Sequence, residues 1–276
     1  MCRLLGIVAS EPTEFRIVLR EVPRSLAALS AEHPDGWGLA IYDDDAARDA
    51  KRAPAWSVAR GTACARVDDE FHKNAHGSCG VVLVSHVRQK TVGPTALENT
   101  HPFASDGWVF AHNGTIKDLD FVRAQTSPAR AAEVRGTTDS ELFFAWVLSA
   151  LDAAGLTHAE SESANDEPLD RLVQGIVAAG RARPGFGAFN FLLSNGRVTY
   201  AHRFGRSLNV LRRGPHDEVR RERTSDDGVT VVTPWSQRRH AVFIASERMT
   251  DEPWEELPDG SLIRIDRLPR PTIRAL

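Results

Sequence analysis

The sequence predicts an α+β fold, with mixed sheets and helices layered outside them. Three observations carry that expectation. Apolar runs of strand length occupy both ends of the 276-residue chain, two long helical patterns lie between them, and no internal repeat interrupts the order. At 42% hydrophobic and 26% charged residues, the protein can bury a sizeable core.

Residues 4–9 read as a buried strand starting almost at the first residue, broken at Pro12 and Thr13. Residues 15–29 carry apolar positions at helical spacing, interrupted at Pro23. Asp35-Gly36-Trp37-Gly38 is turn chemistry leading into a strand over 39–42. The polar stretch 43–52 then reads as a hairpin loop and 56–60 as the returning strand. A short helix is expected over 66–74, and strands over 81–86 and 108–111, the second ended by Asn113-Gly114. The strongest helix covers 139–151. Leu142, Phe143, Ala145, Trp146, Leu148 and Leu151 form a wide apolar stripe, Thr138 or Asp139 can cap it, and Glu141 sits in its first turn.

Residues 157–168 are acidic and nearly free of large apolar residues, the composition of a surface loop or a locally disordered insert. A second long helix follows over 169–182. Strands are then expected at 188–193, 198–201, 208–211, 229–232, 241–245 and 262–265, with Asn195-Gly196 as the hairpin between the first two. The charged run 212–227 reads as a solvated loop. No clean linker divides the sequence, so one domain over 2–276 is expected.

Bulk properties exclude several classes. With 34 basic and 37 acidic residues the net charge is −3, which gives no attraction to nucleic acid or to an anionic membrane. No apolar run reaches the length of a membrane span, and the one at the N-terminus is too brief for a secretory signal, so a cytoplasmic location is expected. Cys2, Cys64 and Cys79 are too few for a disulfide framework and read, Cys2 apart, as packing residues. Neither CxxC nor HExxH occurs, so no metal or other cofactor is expected. The G-x-G in GFGAFN at 185–190 lacks the flanking elements of a dinucleotide site.

Cys2 is the unusual residue. Met followed by a small residue is normally trimmed, which would leave Cys2 first in the mature protein. A terminal cysteine carries a thiol with a reference pKa of about 8.5 and an α-amine of about 7.7–8.0. The amine is partly neutral near neutral pH and can take the thiol proton, so nucleophile and base share one residue. The alternative is a small apolar residue entering a strand. His112-Asn113-Gly114 offers a second feature. An Asn amide and the N–H of the following Gly can converge on the oxyanion of an acyl-transfer intermediate. The same dipeptide is also a hairpin signal, and both readings can hold. In His86-Val87-Arg88, Arg88 at a strand end can hold a carboxylate through two parallel hydrogen bonds, or lie on the surface. In Gly136-Thr137-Thr138-Asp139, Asp139 can receive an ammonium or cap the helix. Taken together the residues fit one ligand shape. Arg88 takes an α-carboxylate, Asp139 an α-ammonium, Asn113 and Gly114 polarise a side-chain amide, and Cys2 attacks it.

On these residues the sequence resembles the class II, N-terminal-cysteine glutamine amidotransferases, in particular the stand-alone bacterial type. The matching stretches are MCRLLGIVAS at 1–10, DGWGLAIY at 35–42, SHVRQKTVGPTALENTHPF at 85–103, WVFAHNG at 108–114 and GTTDSEL at 136–142. The resemblance is strong over about residues 2–150. It implies a four-layer αββα sandwich of the N-terminal-nucleophile hydrolase type. It places the nucleophile on Cys2, the oxyanion donors on Asn113 and Gly114, and the carboxylate and ammonium ligands on Arg88 and Asp139. It also implies a loop over 89–95 that closes on glutamine. Residues 150–276 are too few for the synthase domain that linked members carry. Three readings follow: a free-standing cysteine-dependent amidohydrolase releasing ammonia from glutamine, an enzyme cutting γ-glutamyl peptides or thiol conjugates, and a glutaminase-like subunit of a synthase partner or a glutamine-sensing binding protein. His101 and Trp37 have two readings each, near the site or in the core.

Overall fold

The apolar runs at both ends of the sequence become the strands of two stacked sheets, seen here in a computed structural model. It describes residues 2–44, 55–91, 93–158, 167–214, 223–224, 230–231 and 239–276. Strand β1 (Arg3–Glu14) leads into a π-helical turn over Ile17–Glu21 and the short helix α1 (Leu26–Leu29). Strands β2 (Trp37–Asp43) and β3 (Ala55–Gly61) pair as a hairpin, and helix α2 (Asp69–His76) precedes β4 (Cys79–Val87). Strands β5 (Phe103–Ser105) and β6 (Trp108–Ile116) are followed by α3 (Leu119–Gln125), α4 (Pro128–Glu133), α5 (Asp139–Ala153) and α6 (Glu167–Arg181). Next come β7 (Gly187–Ser194), β8 (Val198–His202), β9 (Asn209–Arg213), the small pair β10 (Arg223–Thr224) and β11 (Thr230–Val231), β12 (Ala241–Ala245), β13 (Glu255–Glu256), β14 (Leu262–Asp266) and β15 (Thr272–Ala275).

The first sheet has the order β13-β9-β12-β1-β4-β2-β3 and the second β15-β14-β8-β7-β6-β5. Every described ladder is antiparallel, which corrects the expected mixed sheets. Strand direction depends on partners far apart in sequence, such as β1 with β12, and no local pattern encodes it.

Alternation along the strands builds three cores. Leu5, Ile7 and Ala9 of β1 face Phe15, Leu19, Leu26 and Phe71 in one outer layer. Leu4 and Val8, on the other face, meet Val109, Ala111, Leu192 and Ile263 of the second sheet. The far face of the second sheet, with Phe110, Phe189, Phe191 and Tyr200, packs on α5 and α6 through Phe143, Trp146, Val173 and Val177. Three cores between four layers make an αββα sandwich. Among the described residues no helix is long and apolar enough to cross a membrane.

Two strands outrun their expected ends. β1 continues through Pro12 to Glu14 with an irregular register between Val8 and Thr13, because the missing proline N–H falls where the ladder is already offset. β6 runs through Asn113-Gly114 to Ile116, paired residue by residue with β7, so Asn113-Gly114 is mid-strand and forms no turn. The hairpin at Asn195-Gly196 does form, with Gly196 at φ +86°. The helical expectation over 15–29 splits at Val22-Pro23-Arg24 into the π-helical turn and α1. Short edge strands β5, β13 and β15 carried no apolar signal. Trp37 is core, with its indole N–H donating to Asp68 Oδ2 at 2.7 Å. Most of the loop over 43–52, the acidic insert and the charged run lie outside the described residues.

Candidate active site

Arg88 directly follows β4, and its backbone extends the ladder. Its N–H donates to Gly36 O at 2.8 Å, and its carbonyl accepts from Asp35 N at 3.0 Å. The residue is only 4% exposed. The next residue touches Cys2: Gln89 N and Gln89 O both lie 3.3 Å from Cys2 Sγ. Cys2 immediately precedes β1 and Arg88 immediately follows β4, so the pairing of Arg3 with Val87 brings the two residues to the same end of the ladder. Burial raises the thiol above its ordinary value, against the lowering effects of the Gln89 N–H and the Arg88 charge. The thiol therefore stays protonated near neutral pH.

The second sheet carries Asn113 and Gly114. Val109 and Ala111 of β6 point between the sheets, and period-two alternation sends Asn113 the same way. Its Nδ2 donates to Ser246 Oγ at 3.2 Å, and Ser246 Oγ also accepts from Leu4 N at 3.0 Å. This hydroxyl links β6 to the strand beginning beside Cys2. At Gly114 the requirement is close approach. A Cβ there would collide with the Ala188 carbonyl and lie 2.8 Å from His112 Nε2, so the crowding comes from β7 and from His112 within its own strand.

Asp139 opens α5, but Thr138 is the cap, its Oγ1 accepting from Glu141 N at 3.3 Å. Asp139 Oδ2 instead accepts from Ile116 N at 2.7 Å, which fastens the helix to β6 two residues beyond Gly114. Oδ1 has no hydrogen-bond partner among the described residues. The five residues singled out in the sequence thus fall on one connected path: Arg88 to Cys2 through Gln89, Cys2 to Asn113 through Leu4 and Ser246, and Gly114 to Asp139 through Ile116. The described part of 89–95 packs over the same end, with Asn99 Nδ2 donating to Pro94 O at 3.0 Å and Asn99 Oδ1 accepting from Thr137 N at 2.8 Å.

Three histidines run behind the path. The His86 and His101 rings lie 4.4 Å apart, and His101 and His112 6.5 Å. His112 Nδ1 meets Ser140 Oγ at 2.8 Å. Burial, reinforced by the neighbouring imidazoles, pushes His86 down to about 3. Burial, with Arg3 adding, pushes His33 down to about 4. These rings are neutral at physiological pH. Among the described residues no group of three or more His, Cys, Asp or Glu could hold a metal. Ser246 and His33 carried no signal in the sequence. Ser246 follows an ordinary apolar strand, and only the pairing of β12 with β1 brings it to Leu4.

A family model described as glutamine amidotransferases class-II matches residues 1–267. A gamma-glutamyl-hercynylcysteine sulfoxide hydrolase of Mycobacterium tuberculosis is 27% identical over 96% of this sequence and 93% of its own. Among solved structures, a predicted glutamine amidotransferase from Pseudomonas aeruginosa PA01 aligns with a TM-score of 0.57 at 25% identity, covering 96% and 97% of the two chains. Glutamine phosphoribosylpyrophosphate amidotransferase from B. subtilis aligns at 0.58 and 14% identity, over 99% of this protein and 49% of that one. The αββα sandwich is that of the N-terminal-nucleophile hydrolase type. The protein belongs to the class II glutamine amidotransferases.

Proposed function

We propose that this protein is a cysteine-dependent amidohydrolase that cleaves the δ-amide C–N bond of glutamine, with Cys2 as nucleophile once Met1 has been removed. The observation that carries the reading is the contact of the Cys2 thiol with Gln89, beside the buried Arg88. The substrate α-carboxylate pairs with Arg88 and its α-ammonium with Asp139. The α-amine of Cys2 takes the thiol proton, and sulfur attacks the δ-carbon. Asn113 Nδ2 and Gly114 N–H receive the developing oxyanion. As the intermediate collapses, the C–N bond breaks and the proton goes to the departing ammonia. Water, activated by the same amine, then attacks the thioester and restores the thiol, giving glutamate. The whole of 2–276 acts as one domain, taking a small-molecule substrate and no cofactor, in the cytoplasm.

A second reading keeps this machinery and changes the leaving group to the amine of a γ-glutamyl peptide or thiol conjugate. The similarity to the mycobacterial hydrolase over nearly the full length of both proteins favours weighing it. Turnover of glutamine against a panel of γ-glutamyl dipeptides separates the two. Preference for glutamine upholds the first reading, and preference for a dipeptide replaces it with the second. Cys2→Ala is expected to abolish turnover, by on the order of 10⁴-fold or more, with an unchanged circular dichroism spectrum. Full activity in that variant would sink both.

A further inference from the structure

Cys2 and Asn113 stand on different sheets, and no ladder joins β1 to β6. Packing of the Leu4 side group against the second sheet sets their separation only within the slack of apolar contacts. Acyl transfer is less tolerant: a misplacement of about 1 Å can cost about 100-fold. One residue spans the gap by hydrogen bonds. Ser246 Oγ accepts from Leu4 N at 3.0 Å and from Asn113 Nδ2 at 3.2 Å.

Ser246 is itself firmly held. It is 3% exposed and directly follows β12. Its N–H donates to Leu4 O at 3.1 Å, and its carbonyl accepts from Ser207 Oγ at 2.7 Å and from Asn209 Nδ2 at 3.4 Å. The next residue, Glu247, pairs with Arg3 and Arg24, which clamps the start of β1 from the same segment. A hydroxyl has two acceptor positions and one proton. Leu4 and Asn113 fill both acceptor positions. An Asn amide has two N–H groups, and binding one to Ser246 fixes the amide plane and leaves the other to be aimed.

We propose that Ser246 is a positioning residue of the oxyanion site: it orients the Asn113 amide, leaves one Nδ2 hydrogen for the substrate oxygen, and ties that donor to the strand that carries Cys2. The proposal rests on the amidohydrolase reading above.

The test measures steady-state turnover of glutamine, or of the preferred γ-glutamyl dipeptide, in Ser246→Ala, Ser246→Thr, Asn113→Ala and the Ser246→Ala/Asn113→Ala double variant, with thermal melting of each. Ser246→Ala is expected to lower kcat by about 10- to 100-fold with KM changed less than about 3-fold. Ser246→Thr, which keeps the oxygen, should recover kcat to within about 5-fold. In the Asn113→Ala background, Ser246→Ala should cost less than about 2-fold more, because the group it orients is gone. Equal losses in both backgrounds, or wild-type kcat in Ser246→Ala, would overturn the assignment. Should Ser246→Ala fail to fold, Ser246→Cys supplies a near-isosteric weak acceptor. A kcat loss there supports the proposal, and wild-type kcat overturns it. Wild-type turnover that survives Cys2→Ala removes the underlying reading, and this one with it. Turnover lost in Cys2→Ala but kept in Ser246→Ala removes this one alone.

Discussion

The two sheets present their site residues in different ways. The first does so from strand ends: Cys2 just before β1, Arg88 just after β4 and Ser246 just after β12. The second does so from the middle of a strand, with Asn113 and Gly114 inside β6 and paired to Asn190 and Phe189 of β7. A residue at a strand end is held by the partners it meets individually: Arg88 by Gly36 and Asp35, Ser246 by Leu4, Ser207 and Asn209, and the Cys2 thiol by Gln89. A residue within a ladder has paired neighbours before and after it along its strand. In the proposed mechanism Asn113 and Gly114, as oxyanion donors, are therefore the preorganised half of the site, which is where rigidity contributes most to an acyl-transfer transition state. The proposed nucleophile and carboxylate ligand, Cys2 and Arg88, form the other half, set at strand ends beside Gln89.

This contrast can be broken most severely at Gly114. Gly114→Ala drives a methyl group into the Ala188 carbonyl, and neither strand can yield without opening the ladder. The expected result is a stability loss of about 3 kcal/mol, seen by denaturant melting, together with loss of activity. Near-normal stability and turnover would show that the ladder is softer than described. Asn113→Ala removes one donor without touching the backbone, so kcat should fall by about 100- to 1000-fold while the melting temperature barely moves. A change confined to KM would mean that the amide contacts ground-state substrate alone.

Acidity tests the buried histidines of the fold. His86 is pushed to about 3, and His33 and His202 to about 4, in each case chiefly by burial. Their folded values lie below the ordinary value near 6.5, so the unfolded protein binds protons first as pH falls. Their contribution to stability is complete above about pH 6.5 and is lost progressively through pH 4 and on toward 3. His86 alone should remove about 1.4 kcal/mol per pH unit within that window. Melting temperatures between pH 7 and pH 5 check this, and His86→Phe should flatten the slope. An identical slope in that variant would assign the acid sensitivity elsewhere. The smallest expected effect lies at the start of α5. Thr138→Ala removes the hydroxyl cap and should cost about 1 kcal/mol, with Asp139 still fastened to Ile116.

Much of this was legible in the sequence where the signal is local. The periodicity and cap of α5, the strand over 4–9 and the Asn195-Gly196 hairpin come from patterns spanning fewer than about 20 residues, whereas the five candidate site residues are proposed from the combination of several such stretches over about residues 2–150. Asn113-Gly114 shows where such patterns fail. As a dipeptide it reads as a turn, yet β7 pairs with it throughout and keeps it extended. Pairing outweighs turn preference there because opening the ladder would strand buried backbone N–H and C=O groups. The edge strands β5, β13 and β15 were missed because an edge needs little apolar surface; both residues of β13 are exposed.

Residue order alone offers the candidate groups: a thiol at residue 2, a guanidinium, an amide donor, a glycine and a carboxylate in an order that suits one substrate shape. How those groups are held follows from long-range pairing. Ser246 reaches Leu4 and Asn113 only because β12 pairs with β1 across more than 200 intervening residues. Closing so long a loop yields no local periodicity or composition signal. Its reward is collective, arising from ladders and apolar faces that exist only once both sheets are stacked.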